Sequence, residues 1–201
     1  MFKKITSSIL AMLFIFSSFS MTSFASTTEN ENVITPESEY YLSAEEIYNG
    51  DYFSAEELEA ATEDGAIILC GIDAPMSELS NSIGNARGLF SARVWCRSYA
   101  TYDEDDGVSV HVELYVPWYY FANPKFTAME GAVSVTLAQK TTTKAFAKLA
   151  NQAKTISTDV EMGNKAASGT EGKVSVAGWA TGANIESGYG EFASAYEITI
   201  P

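Results

Sequence analysis

The most regular pattern in the chain is the alternation of Val108, Val110, Val112, Leu114 and Val116 with Ser109, His111, Glu113 and Tyr115. Successive side chains of a strand point to opposite faces, so this stretch predicts a strand with one apolar face and one polar face. The stretch before it alternates as well. Phe90, Ala92, Val94, Cys96 and Ala100 share one parity, with Ser98 as the polar exception, while Arg93, Arg97, Tyr99 and Thr101 share the other. Asp103 to Gly107 separates the two with residues that tolerate turn geometry. A long β-hairpin is predicted over Leu89 to Val116. A hairpin alone is marginal in water, so its Val/Leu face requires a second layer.

The downstream chain supplies that layer. Strands are predicted over Ala132 to Ala138, Ile156 to Met162, Val174 to Ala180 and Glu191 to Ile200. Their core candidates are Val133, Val135, Leu137, Val174, Val176, Trp179, Phe192, Tyr196, Ile198 and Ile200. Lys140 to Lys154 is ambiguous: Phe146, Leu149 and Ala153 keep helical spacing and favour a short helix, whereas Thr141 to Thr143 also suits a strand. Six to seven strands punctuated by Gly, Asp and Pro predict a mainly β fold. The expected form is an antiparallel β-sandwich, immunoglobulin-like or jelly-roll-like.

Upstream the pattern changes. Tyr41 to Ile47 (YLSAEEI) is echoed eleven residues later by Tyr52 to Leu58 (YFSAEEL). Each copy is a helix start: Ser43 or Ser54 as cap, Glu46 or Glu57 three residues on to complete a capping box, and Leu42/Ile47 or Phe53/Leu58 as staples. Two short helices are predicted, near residues 44–48 and 55–63, in front of the β-domain. A packed cap, a removable pro-segment and an acidic surface for a cationic partner are the roles such a segment takes. Gly84 to Gly88 reads as the linker between them.

The first residues add an address. Lys3 and Lys4 precede an apolar run too short to span a bilayer, and Ser23-Phe24-Ala25 offers small residues where a signal peptidase reads. The predicted organisation is a secretory signal over 1–25, an acidic segment with two helices over 26–87 and the β-sandwich over 88–201. The chain is expected to be released to the extracellular space, in the manner of a bacterial secreted protein, with no stable membrane anchor after cleavage.

Charge narrows the partners. The formal charge is −14, and fourteen acidic residues lie between Ile5 and Ala86 with no Lys or Arg among them. Nucleic acid is excluded as an expected partner, because phosphate binding needs a basic surface. Cys70 and Cys96 are the two cysteines, and in an oxidising compartment they are expected to form a disulfide, with two unpaired small buried residues as the alternative. Two thiols and a single His make no recognisable ligand set, so neither a metal nor another cofactor is expected.

Catalytic patterns are sparse. His111 is the sole histidine, and a nucleophile–His site would have to use it; its pairing with Glu113 on one strand face is equally the mark of a solvated face. The most unusual local feature is Trp118-Tyr119-Tyr120-Phe121. Neighbours in an extended segment point opposite ways, so these four cannot all enter one core. They are the candidate ligand-binding residues, offering stacking faces for sugar or anchors for a protein surface, with an aromatic corner of the core as the alternative. The expected function is non-catalytic binding of an extracellular polysaccharide, cell-wall material or protein. A small hydrolase using His111 or paired carboxylates and a membrane-active toxin are the alternatives.

Overall fold

The computed structural model describes residues 33–75, 94–117, 125–183 and 189–201. The predicted signal, the Gly84 to Gly88 linker and the Trp118-Tyr119-Tyr120-Phe121 run lie outside the described residues. The protein is mainly β, and its strands form two five-stranded sheets. In chain order the elements are β1 (Val33–Ile34), β2 (Tyr41–Ser43), α1 (Ala44–Asn49), α2 (Ala55–Ala61), a 3-10 turn (Glu63–Gly65), β3 (Ile67–Pro75), β4 (Trp95–Asp103) and β5 (Gly107–Tyr115). There follow β6 (Lys125–Leu137), β7 (Lys140–Ala153), β8 (Thr155–Glu161), β9 (Glu171–Ala183) and β10 (Tyr189–Thr199).

One sheet has the order β1-β10-β9-β6-β7 and the other β2-β3-β4-β5-β8. All pairings are antiparallel except β1 with β10. The predicted hairpin is β4–β5, with Trp95 opposite Tyr115 and Asp103 opposite Gly107. Its turn is closed by Asp103 Oδ1, which accepts from the Asp105 and Asp106 amides at 2.6 and 2.9 Å. Val108, Val110, Val112 and Leu114 are wholly buried. They join Val133, Val135, Val174, Val176, Phe192 and Tyr196 of the other sheet in a single apolar cluster. Each such burial contributes about 1.5–3 kcal/mol.

The polar exception Ser98 has a structural purpose. Its hydroxyl donates to the His111 carbonyl at 2.7 Å and lies 3.1 Å from the Tyr196 hydroxyl of β10, on the opposite sheet. Two buried polar groups are thereby satisfied inside an apolar layer.

Three expectations are corrected. Cys70 and Cys96 are both buried and unbonded. Cys70 pairs with Ala100 and Cys96 with Ala74, so the two thiols sit four residues apart along neighbouring strands. That is about 13 Å, well beyond the reach of a disulfide. Burial instead pushes the Cys70 thiol up to about 11 and Cys96 to about 12, leaving both protonated. Lys140 to Ala153 is a strand, not a helix; it pairs along β6 and buries Phe146 while Leu149 stays 83 % exposed. Trp179 is half-buried on the face opposite Val174 and Val176, because it is an odd number of residues from them.

The β6–β7 hairpin turns on Ala138 and Gln139, both in the left-handed region (φ 47° and 67°) and flanked by the Leu137–Lys140 pair. A two-residue loop of this kind wants Asn-Gly, since a Cβ in that region is strained. Ala138→Asn with Gln139→Gly is expected to stabilise the protein by about 1 kcal/mol, seen as a melting temperature higher by about 2–4 °C. An unchanged or lower melting temperature contradicts this account of the turn.

Candidate functional site

The two capping-box repeats build the lid of the site. In α1 the Ser43 amide donates to Glu46 at 2.8 Å, and in α2 the Ser54 amide donates to Glu57 at 2.8 Å, each box being closed by the reciprocal contact. Ile47, Phe53 and Leu58 then form a second, smaller apolar cluster with Leu42, Ile68 and Tyr99. Tyr99 belongs to the polar parity of β4, so this cluster lies on the face of the sheet away from the main core.

That placement corrects the reading of His111 and Glu113 as part of a solvated face. His111 is 7 % exposed and Glu113 6 %. The His111 ring stacks on Tyr99 (centroids 4.8 Å apart, planes at 11°), and Phe53 meets both rings edge-on at 5.7 and 4.6 Å. The ring's Nδ1 is 2.8 Å from Asp159 Oδ1 on β8, and its Nε2 is 3.9 Å from Glu113 Oε2. Burial opposes a charged imidazole, yet the Asp159 and Glu113 carboxylates outweigh it and raise His111 to about 9. The same hydrogen bond from His111 holds Asp159 below the usual carboxylate range.

A second charged group continues the layer toward the start of β4. Arg97 lies 3.4 Å from Asp73 and 3.6 Å from Glu113, and it donates to the Tyr52 carbonyl. Its guanidinium covers the rings of Tyr115, Phe53 and Tyr52 at 4.2, 5.3 and 5.7 Å. Tyr115 donates to the Asp73 carboxylate at 2.7–2.9 Å. Burial raises the Asp73 carboxyl, with Arg97 pulling the other way.

Beside Arg97 and Asp73 opens a cleft of about 370 Å³, lined by Glu39, Tyr40, Leu42, Tyr52, Asp73 and Trp95. Tyr40 and Trp95 meet edge-on at 6.5 Å, and Trp95 tilts against Tyr115 at 6.3 Å. The Trp95 indole N–H has no hydrogen-bond partner among the described residues. From Tyr115 the chain runs through Val116 and Pro117 directly into Trp118. The structure thus brings His111, Glu113 and Tyr115 together with Tyr99 and Arg97, as the parity of the two strands implied. Phe53 and Glu57 were read only as a staple and a capping-box residue, and Asp73, Trp95 and Asp159 were not singled out. Trp95 and Asp73 sit on strands read for their core residues, and Phe53, Glu57 and Asp159 lie far from His111 in sequence.

Comparison of the chain with protein-family models, with curated proteins and with solved structures gives no match. The functional reading therefore rests on this geometry.

Proposed function

We propose that the chain is a secreted, non-catalytic β-sandwich protein that binds extracellular polysaccharide at the aromatic end of the β2-β3-β4-β5-β8 sheet. The observation that carries this reading is the cleft beside Trp95. It joins the Tyr40 and Trp95 rings, suited to stacking on a sugar face, with the Glu39 and Asp73 carboxylates. We also propose the aromatic run Trp118-Tyr119-Tyr120-Phe121 as ligand-binding residues, on the strength of the stacking faces those side chains offer. The chemistry of His111 supports binding over hydrolysis. Its ring is enclosed by Tyr99, Phe53 and two carboxylates, and the neighbouring Ser98 hydroxyl is committed to the His111 backbone carbonyl, not to the ring.

The test is retention of the purified secreted protein on a panel of insoluble polysaccharides and cell-wall material. Trp95→Ala and Trp118→Ala are each expected to weaken retention about tenfold, the scale of losing one aromatic anchor, with melting temperatures within a few degrees of the parent. If no polysaccharide retains the parent protein, the sugar reading fails and a protein ligand takes its place. If retention falls only where the melting temperature collapses, the aromatic residues are structural.

A further inference from the structure

Glu57, His111 and Glu113 converge from two separate elements, α2 and β5. Their ligand-capable atoms all lie within 4.8 Å of one another. His111 is more than nine-tenths buried, and its Nε2 has no hydrogen-bond partner among the described residues. The 3.9 Å separation from Glu113 Oε2 is too long for a hydrogen bond, whereas Nδ1 is held at 2.8 Å by Asp159. We propose that these three side chains bind one divalent ion of zinc type, which fastens the helical cap to the sheet.

Each part of the arrangement has the chemistry such an ion requires. A metal-bound histidine presents one nitrogen to the ion and donates its other N–H to a carboxylate, which fixes ring orientation; Asp159 occupies that outer position. Imidazole with two carboxylates selects zinc and its neighbours, while calcium prefers six or more oxygens. Glu57 has one oxygen, Oε2, engaged by the Ser54 amide and hydroxyl, so its other oxygen is free to turn inward. Glu113 likewise directs Oε1 at Arg97 and Oε2 at His111. Zinc bonds of about 2.0–2.2 Å place ligand atoms about 3–4 Å apart, so closure asks for movement of about an ångström. Glu57, half-buried on a surface helix, is the side chain placed to make it. The ion takes the place of the Nε2 proton, and its remaining position is left to water.

The repeat supplies the control. Glu57→Gln removes an anionic ligand but keeps a carbonyl oxygen for the capping box, since Gln serves there as Glu does. Glu46→Gln makes the identical change in the twin box of α1, where the side chain is exposed and has no histidine beside it. The experiment is titration of the EDTA-stripped, dialysed full secreted chain with zinc chloride against a chromophoric chelator, with melting temperature recorded with and without zinc. The parent and Glu46→Gln are expected to take one zinc per chain and to melt higher when loaded. Glu57→Gln is expected to bind at least tenfold more weakly and to lose the zinc-dependent rise, while its zinc-free melting temperature stays within a few degrees of the parent. Asp159→Asn is expected to weaken binding about 10–100-fold, the range for outer partners of a ligating histidine. Failure of the parent to take up zinc overturns the proposal. So does zinc binding that Glu57→Gln leaves intact, which would place the ion elsewhere. Either result leaves the polysaccharide reading untouched, because the cleft and this site share no residue.

Discussion

Gly178→Ala is expected to destabilise the protein by about 2–3 kcal/mol, seen as a lower urea midpoint with an unchanged slope. Gly178 lies on the core-facing parity of β9, opposite Gly131 of β6 and Phe192 of β10. A Cβ there would press into the Glu130 carbonyl oxygen and would stand 2.8 Å from both the Gly131 Cα and the Phe192 ring. A flexible side chain gives way to such an intruder; a ladder carbonyl cannot, so β6 and β9 must part locally. Gly131 is in the mirror position, where an added Cβ would stand 2.7 Å from the Phe146 ring of β7. The row Phe146–Gly131–Gly178–Phe192 thus alternates in size across four strands, two rings filling the space above two glycines. Because the two glycines touch, Gly131→Ala together with Gly178→Ala is expected to cost less than the two single changes added. Gly169→Ala is the control: its φ is +79° but nothing lies within 4 Å, so only backbone strain of about 1 kcal/mol is expected. Equal losses for Gly169→Ala and Gly178→Ala would remove the steric argument.

Arg97→Ala is expected to cost about 3–5 kcal/mol at pH 7, the range for breaking a buried ion pair from one side. The guanidinium is the cation between the Asp73 and Glu113 carboxylates, and it also covers the Tyr115 ring. Its removal strands two carboxylates in a layer where water does not replace it. The sign of the pH dependence follows. Burial already raises Asp73 in the parent, so the folded state disfavours its ionised form and loses stability as pH rises through its titration. Without Arg97 that pKa moves further up, and the penalty above it grows. The gap in stability between parent and variant is therefore expected to be widest at neutral pH and to narrow toward pH 4, as Asp73 takes up its proton. Arg97→Lys keeps the charge but loses the flat guanidinium over the rings, and should fall between the two. Parallel stability curves for parent and Arg97→Ala across that pH range would show that charge is not what Arg97 contributes.

Where a single element decides the outcome, the amino-acid pattern was enough. Val108 to Val116 could be assigned a buried and a polar face because a period of two admits no other arrangement. The capping boxes at Ser43 and Ser54 carry all their signals within five residues. What failed to read was whatever depended on a partner distant in sequence. The cover over His111 and Glu113 comes from Phe53, Leu58 and the rest of the small cluster, residues whose contact with β4 and β5 no local pattern announces. The disulfide failed for a related reason: cysteine count and compartment favour a bond, but the register that sets Cys70 against Ala100 forbids it. Lys140 to Ala153 misled because an edge strand with one exposed side need not alternate in polarity, and Phe146 alone marks its inward face.

The helical cap meets the sheet over two kinds of surface. Its apolar contact is the small cluster around Ile47, Phe53 and Leu58; the rest is the charged layer of Glu57, Arg97, His111 and Glu113. Lifting such a cap from the sheet uncovers that cluster and also lets water solvate charged groups that were stripped of it. The two helices are therefore expected to open as one unit, with amide exchange in α1 and α2 faster than in the strands of the core.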